Sequence, residues 1–347
     1  FFHPHPAIRD AQESRGLGDV YKRQIWVGLG PKHIYISSAV GLAELVLSGC
    51  TTSTDHQYLF PGGARLDDSI EAATDIGIRF HPTRGSMSIG ESKGGLPPDV
   101  LTENESDILK DCERVISQFH DDSPNAMIKI ALAPCSPFSV SNDLMSQTAV
   151  LARENHLCMH THLAENSEDV EYSLEKFNMR PGEYAESLGW LGDDVWHAHC
   201  VKLDSAEVKL FGKTNTGIAH CPSSNMRLAS GIAPLLEMLE NNVRVGLGVD
   251  GSSSNDSGHM LNEARQAMLL QRVKHSASVI SARDVLRTAT RGGAEVLRRE
   301  NIGQIAPGFM ADIAIYDMHS VDLAGTHTDP LAALVFCGPI KTTHTII

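Results

Sequence analysis

At 347 residues and 37.6 kDa, with 41% hydrophobic residues, the chain suits one large α/β barrel or two domains and carries ample material for a core. A net charge of −14, a pI near 5.6 and the lack of Lys/Arg runs argue against nucleic-acid backbones and anionic membranes as partners. The seven cysteines (Cys50, Cys112, Cys135, Cys158, Cys200, Cys221 and Cys337) are scattered without a CxxC, the pattern of reduced thiols in a cytoplasmic protein; no apolar run reaches membrane-spanning length and no secretory signal is evident.

Residues 1–24 show neither a helical nor a strand period, and GLGDVYKRQ resembles translated adapter sequence, so native sequence is expected to begin near Ile25. His3-Pro4-His5 has the form of a metal-binding HxH pair, but no apolar strand leads into it and Pro4 would remove a ladder donor; it reads as a coincidence. From Ile25 helix and strand patterns alternate. Pro31 to Leu47 is helical and stops at Gly49; Cys50 to Asp55 is a strand with His56 just beyond; Leu66 to Ile76 is helical; Ile78 to His81 is a strand running into a long loop, Arg84 to Asp99, rich in glycine and of the length used for lids.

Leu101 to Phe119 reads as a helix, Met127 to Ala133 as a strand ending in Pro134-Cys135-Ser136, and Asp143 to Asn155 as a helix. The apolar lead-in Leu157-Cys158-Met159 then delivers His160-Thr161-His162-Leu163-Ala164-Glu165. On a strand His160 and His162 share one face, and Glu165 follows just past the strand end. Two imidazoles and a nearby acid suit metal-assisted hydrolysis; two packed histidines and a helix-capping Glu is the bland alternative. Pro181 to Leu188 is helical, Val195 to Cys200 is another strand with alternate histidines, Ala206 to Gly212 is helical, and Gly217 to His220 is a strand before Cys221-Pro222-Ser223-Ser224-Asn225. Ile232 to Asn241 is helical, Val243 to Val249 is an apolar strand delivering Asp250, and helices at Gly258 to Val273 and Ser281 to Arg298 close the series.

Strand then helix recurs at least seven times, with polar residues gathered at strand C-terminal ends. That is the pattern of a (β/α)₈ TIM-type barrel, whose chemistry sits at that face; a doubly wound sheet would place its ligand at one switch point, and no glycine-rich phosphate loop is present. His162, His199, His220 and Asp250 are predicted to converge there. Asn255 and Ser254 suit either substrate contacts or a helix cap; Arg84 suits either a ring carbonyl or a surface carboxylate; His56 and His81 also fall near strand ends, with packing roles as reasonable as functional ones.

The series HTHLAE, AHC, HCPSSN and GLGVDGSSSND, followed by ATRGGA and IGQIAPGFMAD, resembles the amidohydrolase superfamily, in its cytosine-deaminase-like and triazine-hydrolase-like branch, from Ile25 to the end of the chain. The resemblance implies one divalent metal, zinc or alternatively iron, with His162 and Asp250 as ligands. Asp250 would take a proton from the water on that metal, Glu165 would relay a proton to the substrate ring, and His199 would hydrogen-bond the water or the developing oxyanion. His160 becomes a supporting residue, and Cys135 and Asn255 join Glu165 and His199 as substrate contacts. Cys135, where nucleoside-deaminating relatives tend to carry His, favours a free base or triazine. The implied activity is hydrolytic deamination of a purine-like base, with 8-oxoguanine the substrate that the loops RGSMSIGESKGGLPPD and APCSPFSVS favour. Removal of an aminoalkyl or chloro substituent from a triazine is the alternative within the class, and a non-catalytic barrel fragment or scaffold the alternative outside it. The partner is a small heterocycle; a homo-oligomer is compatible with the sequence.

Relatives carry an HxH pair on the first barrel strand, which the resemblance places ahead of Ile25. The expected organisation is therefore a foreign segment at 1–24, a barrel over 25–300 lacking its first strand, and part of a small β-sandwich over 301–347, in a chain truncated at both ends.

Overall fold

The computed structural model describes residues 25–95 and 97–347; the His3-Pro4-His5 pair and the rest of 1–24 lie outside the described residues. Strand β1 (Thr52–Thr54) pairs in parallel with β2 (Arg79–His81). Strands β3 (Thr83–Ser86), β4 (Ala131–Pro134), β5 (Cys158–Leu163), β6 (Val195–His199), β7 (Gly217–His220) and β8 (Arg244–Leu247) form a parallel sheet in that order. Pro82 interrupts what is otherwise one barrel position: it has no N–H to give, and β2 and β3 flank it. Single bridges, Gln57 to Arg84 and Phe80 to Ile128, carry the pairing across this break. The chain thus supplies seven successive parallel positions of a TIM-type barrel, as the sequence predicted. Among the described residues no strand joins β8 to β1; a cavity of about 1220 Å³ is lined there by Cys50 to Asp55 on one side and Gly246 to Asp250 on the other, and it runs into the barrel mouth.

The strands are buried on both faces, as parallel strands covered by helices must be. Their outward residues, such as Ile130, Leu132, Met159 and Val195, pack against helix residues including Ile108, Leu144 and Val208. Helix starts and stops follow local chemistry. Helix α1 (Pro31–Leu47) has proline in its first turn, and α2 (Leu66–Ile76) ends on Gly77 at φ 79°, a conformation that costs glycine nothing. Helix α3 (Glu105–Phe119) begins four residues later than predicted because Asn104 caps it through the Ser106 N–H, a turn of 3₁₀ helix occupying Asp99–Leu101. Helix α4 (Asn142–Glu154) is capped by Ser141, and α5 (Ser167–Phe177), which the sequence reading passed over, by Asn166.

The long glycine-rich loop is shorter than expected. Its opening residues Arg84, Gly85 and Ser86 belong to strand β3, and Met87 and Ser88 are buried, Ser88 beside the Ser139 carbonyl. The last predicted helix is broken: Ala282–Arg287, a π-turn at Thr288–Gly292, then Gly293–Val296, where Gly293 packs against Gly246 of β8. After the barrel, β9 (Ile313–Ile315) and β10 (His344–Ile346) pair antiparallel. Thr345 Oγ1 reaches the Val46 carbonyl at 2.7 Å and Tyr316 the Ser48 carbonyl at 3.0 Å, so this ribbon is sewn to the end of α1. Among the described residues no helix is long and apolar enough to cross a membrane.

Burial of neutral imidazoles gives the fold an acid limit. His197 and His220 are buried, and burial pushes both down to about 4. Below about pH 6.5 the unfolded chain takes up protons that the folded chain refuses. Their contribution is therefore complete above pH 6.5 and lost as pH falls towards 4, on the order of 3 kcal/mol for each histidine. Urea unfolding at pH 7.5 and pH 5 should show a fall of a few kcal/mol; equal stability at the two values would contradict this.

Candidate active site

The strand ends that the sequence singled out do meet at the barrel mouth. His162, at the end of β5, donates its Nδ1 proton to the Cys135 carbonyl at 2.7 Å, which leaves Nε2 as the free lone pair. Burial opposes protonation of His162, but the Cys135 thiol beside it outweighs that and raises its pKa. His199, at the end of β6, has Nδ1 2.9 Å from Asn225 Oδ1 and Nε2 3.8 Å from Glu165 Oε2. Glu165 is held at both ends: Ser230 Oγ donates to its Oε1 at 3.2 Å, and its backbone N–H donates to Asp169 at 2.8 Å.

Asp250 follows β8. Ser224 and Ser254 both donate to its Oδ2, at 2.5 and 2.7 Å, and Gly251 N–H donates to Oδ1 at 2.7 Å. Burial pushes this carboxyl up, but His199, the serine hydroxyls and His162 together hold it down at about 2, so it is an anion at neutral pH. Ala164, His199, Cys200 and Asp250 all adopt left-handed backbone conformations with φ of 49 to 69°. Such turns are costly for non-glycine residues and gather at functional sites; here they bend three strand ends so that the side chains face one mouth.

His160 is buried, with Nδ1 3.1 Å from the Trp196 carbonyl and its ring stacked on Trp196. His56 belongs to the site: its ring stacks 4.5 Å from His162, and Nε2 lies 2.9 Å from the Ala133 carbonyl. His162 stacks in turn on His199 at 5.4 Å, so three imidazoles form a ladder. His220 lies buried below, and among the described residues neither of its ring nitrogens has a hydrogen-bond partner. His81 does not reach the site and packs against Trp196. Asn255 lines the cavity, but its amide donates to the Val249 carbonyl and to Glu263, each at 2.9 Å; it ties the β8 loop to α10 (Met260–Lys274). Arg84 takes the second of its two readings: buried, it pairs with Asp111 at 2.7 Å and Glu103 at 2.8 Å and lies 4.1 Å over the Phe60 ring.

Tyr58, Ser224, Asn225 and Ser230 were not singled out from sequence. Ser224 and Asn225 stand directly after His220 and Cys221, where the strand-end rule could have found them. Ser230 follows a six-residue helix, and no local signal marks it. Gly85 explains how the β1 loop reaches the site: a Cβ there would lie 2.8 Å from the Tyr58 Cα and closer still to the Gln57 carbonyl. Gly85→Ala is therefore expected to cost about 2 kcal/mol by overpacking and to displace Tyr58, measured by unfolding and by substrate affinity; a variant with unchanged stability and affinity would refute the close-packing argument.

For a metal, the donor chemistry is right but the set is partial. His162 presents a free Nε2 backed by a carbonyl, and Asp250 is anionic and oriented. Among the described residues, however, no group of three or more His, Cys, Asp or Glu side chains is arranged to hold an ion.

A parallel barrel that gathers imidazole, two carboxylates and a cavity at its C-terminal mouth is the architecture of a barrel hydrolase. The amidohydrolase family model matches residues 5–347, and the chain belongs to that family of hydrolytic enzymes acting on C–N bonds. It is 45% identical to 8-oxoguanine deaminase of Pseudomonas aeruginosa over 315 residues, covering 90% of this chain and 70% of that protein. Hydroxydechloroatrazine ethylaminohydrolase of a Pseudomonas species is 37% identical, covering 89% and 66%. Among solved structures, atrazine chlorohydrolase from Arthrobacter aurescens TC1 complexed with zinc superposes with a TM-score of 0.93 at 33% identity, over 99% of this chain and 78% of that one. A divalent metal thus belongs to the chemistry of this family.

Proposed function

We propose that the site hydrolytically deaminates a purine-like free base, 8-oxoguanine, to urate and ammonia, with zinc as the metal. The observation that carries this reading is the convergence of His162, Glu165, His199 and Asp250 at one mouth, in a chain 45% identical to an 8-oxoguanine deaminase. His162 and Asp250 would hold the metal, which when bound supplies Lewis-acid chemistry that yields a nucleophile from water at neutral pH.

The side chains divide the proton work. Asp250, ionised and fixed by two serines, accepts a proton from the attacking water. Glu165 delivers a proton to the ring nitrogen beside the amino-bearing carbon, which makes that carbon electrophilic; water oxygen bonds to it. His199 Nε2, 3.8 Å from Glu165, is placed to hydrogen-bond the oxygen as charge develops. A second proton passes to the amino group, the C–N bond breaks and ammonia leaves. The Cys135 side chain lies beside the His162 imidazole.

The test is a panel of amino-heterocycles with the metal-supplemented chain, read by ammonia release and by urate absorbance. Urate and ammonia in equal amounts from 8-oxoguanine support the reading. Chloride or alkylamine release from a triazine, without base deamination, would move the assignment to the triazine hydrolases; no turnover of any member would overturn it.

A further inference from the structure

Tyr58 is a large side chain at the mouth to which the proposed chemistry gives no task. It lines the cavity together with His56, His162, His199 and Asp250. Its ring stands across the imidazole ladder, 5.2 Å from His56 at 83° and 6.0 Å from His162 at 82°. Its neighbours are pinned. Gln57 accepts from Gly85 N–H at 2.8 Å and from the Ser69 hydroxyl, and Phe60 lies under the buried Arg84 guanidinium. The phenol is thus a preorganised wall whose orientation is fixed before any ligand arrives. Among the described residues no hydrogen bond reaches its hydroxyl.

A phenol is an O–H donor at neutral pH. A donor with no partner among the described residues, at a cavity edged by carboxylates, is open to an acceptor from the ligand. Carboxylates repel a ligand anion at that point, which leaves a neutral carbonyl oxygen as the matching acceptor.

We infer that Tyr58 is a substrate-binding residue whose hydroxyl donates to a ring carbonyl of the heterocycle, selecting oxo-bases over their amino counterparts. The inference rests on the purine-base reading above and adds to it the residue that sets specificity. A site built around such a bond rejects an analogue lacking the acceptor, because the phenol is then left unpaired.

The experiment is calorimetric binding of 8-oxoguanine and of 2,6-diaminopurine, which has no ring carbonyl, to the chain and to Tyr58→Phe, with thermal melts as the check on folding. The expected result is a loss of about tenfold in 8-oxoguanine affinity for Tyr58→Phe, with 2,6-diaminopurine affinity and melting unchanged. If the unsubstituted chain binds 8-oxoguanine and Tyr58→Phe binds it equally, or loses affinity equally for both bases, the role of Tyr58 is overturned while the purine-base reading stands. If the unsubstituted chain binds neither base, that reading falls and the inference with it.

Discussion

Replacing Glu165 by Gln should lower kcat/KM for the amino-heterocycle by a factor on the order of 10² to 10⁴, the range for removing a general acid or base, while leaving fold and metal content unchanged. The expectation follows from how the side chain is held. The glutamine keeps the shape, can still accept from Ser230, and retains the backbone bond to Asp169. It loses only the proton that the carboxyl would carry to the ring. His199 lies 3.8 Å away and is not expected to replace it, because its Nδ1 is committed to Asn225 and its Nε2 has the proposed task of meeting the oxygen that gains charge. Steady-state ammonia release, with KM and kcat separated, checks this: the loss should fall on kcat. A Glu165→Gln variant with the activity of the unsubstituted chain would show that the ring is protonated by another group.

The largest effect on stability is expected at the opposite end of the barrel. Arg79, on β2, and Asp312, just before β9, are 233 residues apart in sequence and are both almost fully buried. The guanidinium grips the carboxylate through Nε at 3.1 Å and Nη2 at 3.0 Å, and donates through Nη1 to the Asn125 and Ala126 carbonyls. Arg299 is buried beside it, donating to the same Ala126 carbonyl, with its Nε and Nη2 without a hydrogen-bond partner among the described residues. Asp312→Ala would leave Arg79 as an uncompensated buried cation next to a second one. The expected cost is about 3–5 kcal/mol, whereas replacing both partners by apolar residues of similar volume should cost far less. Denaturant unfolding of the single and double variants measures this. A single variant within about 0.5 kcal/mol of the unsubstituted chain, the scatter of ordinary surface changes, would mean that the pair does not anchor the C-terminal segment.

Much of the barrel was legible because its signals are local. The periods of Pro31–Leu47 and Leu66–Ile76 name their own helices, and the apolar runs before His162, His199, His220 and Asp250 name the strands. The strand-end rule then placed His162, His199 and Asp250 together although they are far apart in sequence. What was missed depends on contacts without a local signature. Pro82 hid the continuity of β2 with β3, so half of a barrel position read as loop. Asn104 moved a helix start that hydrophobic spacing alone put earlier. His56 and Tyr58 belong to the site because Gly85 admits the β1 loop to the mouth, a packing fact between residues nearly thirty positions apart. Ser230 reaches Glu165 across 65 residues, and Asn255 turned inward to Glu263 because that buried carboxylate needed a donor, a demand that sequence does not display.

The β5 and β8 strand ends are expected to hold a catalytic divalent metal, which metal uptake by the folded chain reads out. In equilibrium dialysis the purified, folded chain should take up about one zinc per chain, more weakly than a complete three-ligand catalytic site because its donor set among the described residues is partial, and His162→Ala and Asp250→Ala should each abolish that uptake while remaining folded. A folded chain that retains no divalent metal, or variants that retain as much as the unsubstituted chain, would contradict the account.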